Sequence, residues 1–213
     1  MSKRINRTDL EIFFDYDLHL PTRTVYIGPA SGNDEGTEHG VNYAMAERAI
    51  KGLAVLDATE GDITCVLNTF GGEIENGWAI YDAIKGCKNH VTIKVFGKAM
   101  SMGAVILQAA DKRLMTENSA LMIHYGSISL SGLHAKDLER WSKWYEKDNE
   151  KMEQIFLDKI KESAPKFTLS KLKEKMNFDW FLSAQEAVEW NLVDGIISEQ
   201  GRIIEREEDE DGQ

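Results

Sequence analysis

The sequence predicts an α/β fold. Strand-like and helix-like segments alternate along most of its 213 residues, as they do in layered α/β domains. Short apolar runs end at glycines or polar loops, and the stretches that follow carry apolar residues at helical spacing. The length suits one domain with a sizeable core, and there is no internal repeat or low-complexity linker.

Each element has its own signal. Arg23 to Ile27 is β-rich and stops at Gly28, before a Gly-, Asn- and Asp-containing loop from Pro29 to Gly40. Val41, Met45, Ala49, Leu53 and Leu56 recur at helical spacing. Ile63 to Leu67 is a short apolar strand that runs into Asn68-Thr69-Phe70-Gly71-Gly72. Ile74, Gly77, Tyr81 and Ile84 mark the next helix. Val91, Ile93 and Val95 alternate as a strand does, with Gly97 as the expected end. Met102 to Ala110 reads as a buried helix, and Leu121 to Ile123 as a strand ending at His124. In the long helix that follows, Leu138, Trp141, Tyr145, Met152, Phe156 and Ile160 lie near one stripe. Ser183 and Glu186 form a capping-box pattern that opens another helix. Asn191 suits its end, and Val193 to Ile197 is the last strand.

Composition excludes several classes. The net charge of −11 argues against nucleic-acid binding, which depends on Lys and Arg neutralising phosphates. The longest apolar stretch is too short to span a bilayer. The opening residues lack the apolar run and cleavage site of a secretory signal. Cys65 and Cys87, the only cysteines, make neither a disulfide framework nor a zinc spacing, which points to a cytoplasmic setting. The acidic run from Glu205 to Asp211 reads as a solvated end.

Four places could carry chemistry. Ser101 stands between a strand and an apolar helix in Ala99-Met100-Ser101-Met102-Gly103. Small neighbours permit the sharp turn of a nucleophile elbow, with Ala in place of the first Gly. An ordinary N-cap serine suits the same place. Gly71-Gly72 also lies between strand and helix, where it can aim an N–H at an oxyanion or simply make a turn. His124 is the best-placed base, because His19, His39, His90 and His134 lie in polar or loop-like contexts. Asp179 stands among Phe178, Trp180, Phe181 and Leu182. A carboxylate there either has a partner, such as an imidazole, or points to water.

Taken together, these segments resemble the Clp protease proteolytic-subunit family from about Phe13 to about Ser198. Gly97-Lys-Ala-Met-Ser101-Met-Gly-Ala-Val-Ile-Leu resembles its nucleophile segment, and Leu121-Met-Ile-His124 its histidine segment. The stretch from Asp179 to Asp194 resembles the segment that opens with its aspartate. Gly71-Gly72-Glu-Ile matches the glycine pair of its oxyanion loop. The order Ser, His, Asp also differs from that of α/β-hydrolases.

The resemblance implies a crotonase-like spiral of ββα units, a Ser101, His124, Asp179 triad, and peptide-bond hydrolysis without metal or organic cofactor. It implies an oxyanion hole from Gly71, Gly72 and Met102, and a substrate strand at Gly126, Ser127, Ile128 and Ser129. It implies a peptidase domain over residues 13–198, with a handle helix at about 137–156 between a divergent segment 1–12 and a disordered tail 199–213. It further implies a homo-oligomer, a heptamer or tetradecamer enclosing a chamber, peptide substrates and an AAA+ unfoldase partner, with no nucleic acid and no membrane. The sequence departs from the family pattern at four places, one of them the segment Ser127 to Leu130, which lacks the family's glycines. Thr69-Phe70 replaces Ser-Pro before the glycines, Tyr125-Gly126 replaces Gln-Pro after the histidine, and Met1 to Phe13 matches the axial-pore region poorly. A phage capsid-maturation protease, a crotonase-type acyl-CoA enzyme and a catalytically silent ring subunit are the alternative readings.

Overall fold

The computed structural model describes residues 7–29, 40–126 and 134–205. The elements run α1 (Arg7–Tyr16), β1 (Leu18–His19), a 3-10 turn (Leu20–Thr22), β2 (Thr24–Ile27), α2 (Tyr43–Asp57), β3 (Ile63–Thr69), α3 (Ile74–Lys85), β4 (Val91–Met100) and α4 (Met102–Leu107). They continue through β5 (Lys112–Thr116), β6 (Ala120–Ile123), α5 (Ala135–Ser163), α6 (Leu169–Met176), β7 (Trp180–Ser183), α7 (Ala184–Glu189), β8 (Gly195–Ile197) and β9 (Ile203–Glu205). The strands form one mixed sheet in the order β1-β2-β3-β4-β5-β8-β9, and β6 branches from β4 to carry β7. This is the α/β architecture that the alternation predicts, and its central strands β2 to β5 run parallel.

The branch begins in β4. Its first half pairs in parallel with β5, from Thr92↔Lys112 to Val95↔Met115. Its second half pairs in parallel with β6, from Lys98↔Ala120 to Met100↔Met122. Between the halves the register against β3 slips: Leu67 pairs with Val95 but Thr69 pairs with Ala99. Two extra residues on β4 make a bulge around Gly97, whose φ of +84° suits glycine. Gly97 therefore bends the strand instead of ending it. Its N–H donates to Ser119 Oγ at 3.0 Å. The bend carries Met100 and Ser101 away from β5 and beside β6.

The helices follow their apolar faces. α2 starts two residues later than Val41, because Asn42 caps it by accepting from the Met45 N–H at 2.9 Å. Val41 instead bridges to Gly72. All six residues of α4 are buried, as expected of a helix that is apolar all round; it ends at Leu107, earlier than Ala110. α5 has 29 residues, about 44 Å at 1.5 Å per residue, and extends the expected handle at its C-terminal end. Its apolar stripe divides into two parts. Met152, Phe156, Leu157 and Ile160 are buried in the core, whereas Leu138, Trp141 and Trp144 are 42–51% exposed. The stripe is thus not one continuous exposed surface.

β5, β7, α6 and β9 lack a clear sequence signal. β5 contains Arg113, a buried cation whose charge masks the strand pattern. Its guanidinium is bonded to Asp194, and Gln108 Oε1 accepts from Nη1 at 2.7 Å. β9 lies inside the segment expected as a disordered tail. Ile203–Glu205 pairs antiparallel with β8, so the chain keeps a strand there. Ser127, Ile128 and Ser129 of the expected substrate strand lie outside the described residues. No helix among the described residues is long and apolar enough to cross a membrane.

Candidate active site

Three strand ends converge on one cleft. Met100 pairs with Met122 in the parallel β4–β6 ladder, so Ser101 and His124 leave neighbouring strands on the same edge. β6 and β7 are antiparallel, with Ile123 opposite Trp180. One step further in that register sets His124 opposite Asp179. Side chains at opposed positions stand about 5 Å apart at Cβ, which is within reach for an imidazole and a carboxylate.

The contacts follow from that placement. His124 Nε2 lies 3.0 Å from Ser101 Oγ, and His124 Nδ1 lies 2.9 Å from Asp179 Oδ1. The imidazole is largely covered, with its side chain 26% exposed, while the Asp179 side chain is 56% exposed. The apolar neighbours of Asp179 do not bury it, because Phe178 and Phe181 are themselves 79% and 58% exposed. Both readings of this aspartate therefore hold in part: it is wet, and it has an imidazole partner.

Ser101 occupies the N-cap position of α4 but makes no capping bond through its side chain. Its backbone sits at φ 52°, ψ −121°, a conformation that costs a non-glycine residue roughly 1–3 kcal/mol. Main-chain contacts hold it there. The Ser101 N–H donates to Met122 O at 2.8 Å, and Ser101 O accepts from Ala104 N at 2.9 Å. The strained turn aims the hydroxyl at the imidazole instead of at the helix end.

The glycine pair lies against the serine. A Cβ added at Gly71 (φ +98°) would stand 2.6 Å from Ser101 Cβ and 3.0 Å from Met102 N. No side chain fits between these two backbones. The Gly71 N–H is taken by Thr69 Oγ1 at 3.2 Å, and Gly71 O accepts from Val41 N at 2.7 Å. Among the described residues no partner is recorded for the N–H of Gly72 or of Met102. Of the three candidate oxyanion donors, Gly72 and Met102 are free and Gly71 is occupied. The threonine that replaces the serine of the family pattern thus ties down the loop through its hydroxyl.

The cleft beside Ser101 has a volume of about 380 Å³. Met100, Met102, Met122 and Met152 line it with Phe70 and Phe156. Sequence reading does not single out Phe70, Met152 or Phe156 for this role, since only the docking of α5 brings the last two here. Gly126 lines the mouth of the cleft and is exposed. Tyr125, the residue after the histidine, is also unforeseen. Its hydroxyl donates to Glu153 Oε1 on α5. Burial, followed by that carboxylate, pushes the Tyr125 phenol well above its ordinary value. Among the described residues no three His, Cys, Asp or Glu side chains gather as metal ligands.

Comparison with known proteins agrees with this fold. The sequence model of the Clp protease family matches residues 37–200. The ATP-dependent Clp protease proteolytic subunit of Deinococcus radiodurans is 32% identical over 86% of each chain. Proteolytic subunit 2 of Bacillus licheniformis is 33% identical over 85% of this chain and 91% of its own. Among solved structures, a ClpP1 mutant from Listeria monocytogenes superposes with a TM-score of 0.68 at 26% identity, covering 85% of this chain and 95% of that one. A match that takes in both the strand ends at the cleft and the helices behind them leaves one assignment: the chain belongs to the Clp protease family.

Proposed function

We propose that the chain is a serine endopeptidase that hydrolyses peptides and unfolded proteins inside a closed ring chamber fed by an unfoldase ATPase. The observation that carries the catalytic part is the relay Ser101 Oγ to His124 Nε2 at 3.0 Å and His124 Nδ1 to Asp179 Oδ1 at 2.9 Å. The family relatives, which are named as proteolytic subunits of an ATP-dependent protease, support the chamber and its ATPase. Residues 13–198 form the peptidase domain in this reading.

The chemistry follows from the relay. With its proton on Nδ1, the imidazole donates to Asp179 and offers Nε2 as an acceptor. Ser101 gives its proton to Nε2 as Oγ attacks the scissile carbonyl. The free N–H groups of Gly72 and Met102 receive the developing oxyanion, and losing one such donor costs about 10²–10³ in rate. His124 passes the proton to the leaving amine, and water then hydrolyses the acyl-enzyme. The methionine-lined cleft accepts an apolar side chain next to the cleaved bond, since thioethers adapt to different shapes. Gly126 begins the edge along which an extended peptide docks by main-chain hydrogen bonds.

A serine-reactive fluorophosphonate tests the reading. The wild type is expected to label at Ser101 and to cleave short fluorogenic peptides and unfolded casein, while sparing a stable folded domain. An unlabelled wild type, or rapid cleavage of the folded domain without ATP, contradicts the corresponding half of the proposal.

A further inference from the structure

His124 lies one residue beyond the end of β6, so the sheet does not hold its main chain on the far side. Two contacts of the next residue do. The Tyr125 N–H donates to Met176 O at 3.0 Å, at the last residue of α6. The Tyr125 hydroxyl donates to Glu153 Oε1 on α5. The other carboxylate oxygen of Glu153 meets Lys173 Nζ of α6 at 3.1 Å. Glu153 is 5% exposed, so this polar cluster is a built feature of the interior with both carboxylate oxygens satisfied. Gly126, the next residue, has open space around it and gives no further anchorage.

We infer that Tyr125 and Glu153 are positioning residues for His124. This inference rests on the peptidase reading above. The phenol–carboxylate bond fixes the main chain immediately after the histidine, and the Met176 contact ties the same point to the segment that leads into Asp179. The cluster therefore sets the imidazole against both Ser101 and Asp179 without touching the substrate. Small displacements of a catalytic group of this kind cost up to about a hundredfold in rate.

The test compares Tyr125→Phe, Glu153→Ala and Glu153→Gln in steady-state cleavage of a short fluorogenic peptide, with a thermal melt of each. Tyr125→Phe and Glu153→Ala are expected to lower kcat by roughly tenfold or more, with KM within about twofold of wild type. The labelling of Ser101 by fluorophosphonate slows in parallel. Glu153→Gln still accepts from the phenol and is expected to recover most of what Glu153→Ala loses. A Tyr125→Phe protein with wild-type kcat overturns the inference, as does a loss of kcat matched by a loss of folded protein. A wild type that neither labels nor cleaves fails the peptidase reading instead, so the two failures are distinct.

Discussion

His124 and Asp179 are the pair that would come next in the antiparallel ladder of β6 and β7, after Ile123↔Trp180. Their 2.9 Å contact is a consequence of strand register, although 55 residues separate them in the chain. A one-residue slip would turn one of the two side chains to the other face of the sheet. The site is thus as secure as the ladder behind it.

Ser101→Ala is expected to reduce peptide hydrolysis to background with the fold retained. The positive φ of Ser101 adds a further expectation. Ser101→Gly is also inactive but melts above Ser101→Ala, because glycine relieves about 1 kcal/mol of backbone strain. Calorimetry of the two inactive proteins measures the difference, and equal melting points would contradict it.

Asp179→Asn is expected to lower kcat by about three to four orders of magnitude, since Asn neither holds the needed tautomer nor offsets the imidazolium. Asp194→Asn should act differently. Asp194 Oδ2 accepts from the Arg113 N–H at 2.6 Å and from Nε at 3.1 Å, and the Arg113 side chain is only 4% exposed. Breaking that pair is expected to cost roughly 3 kcal/mol of stability and to leave the relay intact. Denaturant titration and peptide kinetics on both variants separate the effects.

The exposed half of α5 points to assembly. Trp141→Glu with Trp144→Glu is expected to leave the protomer folded and to split any stacked rings, because both side chains stand clear of the core. Phe156→Ala should instead destabilise the protomer by about 3–5 kcal/mol, as Phe156 is 1% exposed. Sedimentation velocity distinguishes them. A wild type that sediments as a monomer at micromolar concentration would contradict the assembly.

The capping box behind β7 predicts a pH dependence. The Ser183 N–H, then its hydroxyl, holds the Glu186 carboxyl below its ordinary value of 4.5. A carboxyl lowered on folding contributes stability above its unfolded pKa and loses it as the pH falls through the folded one. The melting-point gap between wild type and Glu186→Gln is therefore expected to be open at pH 7 and to close below pH 4.5. A gap that widens in acid would contradict the capping role.

Local chemistry made much of this protein readable from sequence. Periodicity marked α2, α3 and the long α5, because a helix must present one apolar face to the core. Ser183 and Glu186 announced a helix start through hydrogen bonds made within four residues. The small residues around Ser101 announced a sharp turn. Sequence alone could not choose between nucleophile and N-cap there, since both need the same residue at the same place. The tertiary structure leaves the hydroxyl without a capping bond and sets His124 Nε2 3.0 Å from it, which supports the proposed nucleophile. It likewise turned Gly97 from a strand end into a bulge, through a register that only β3 and β6 together impose. Tyr125, Glu153 and Lys173 carry no joint signal in the chain, because a carboxylate becomes a buried junction only when three separate elements close around it. Short-range hydrogen bonds and periodic burial are written in neighbouring residues; register, and the meeting of distant side chains, exist only after the sheet has formed.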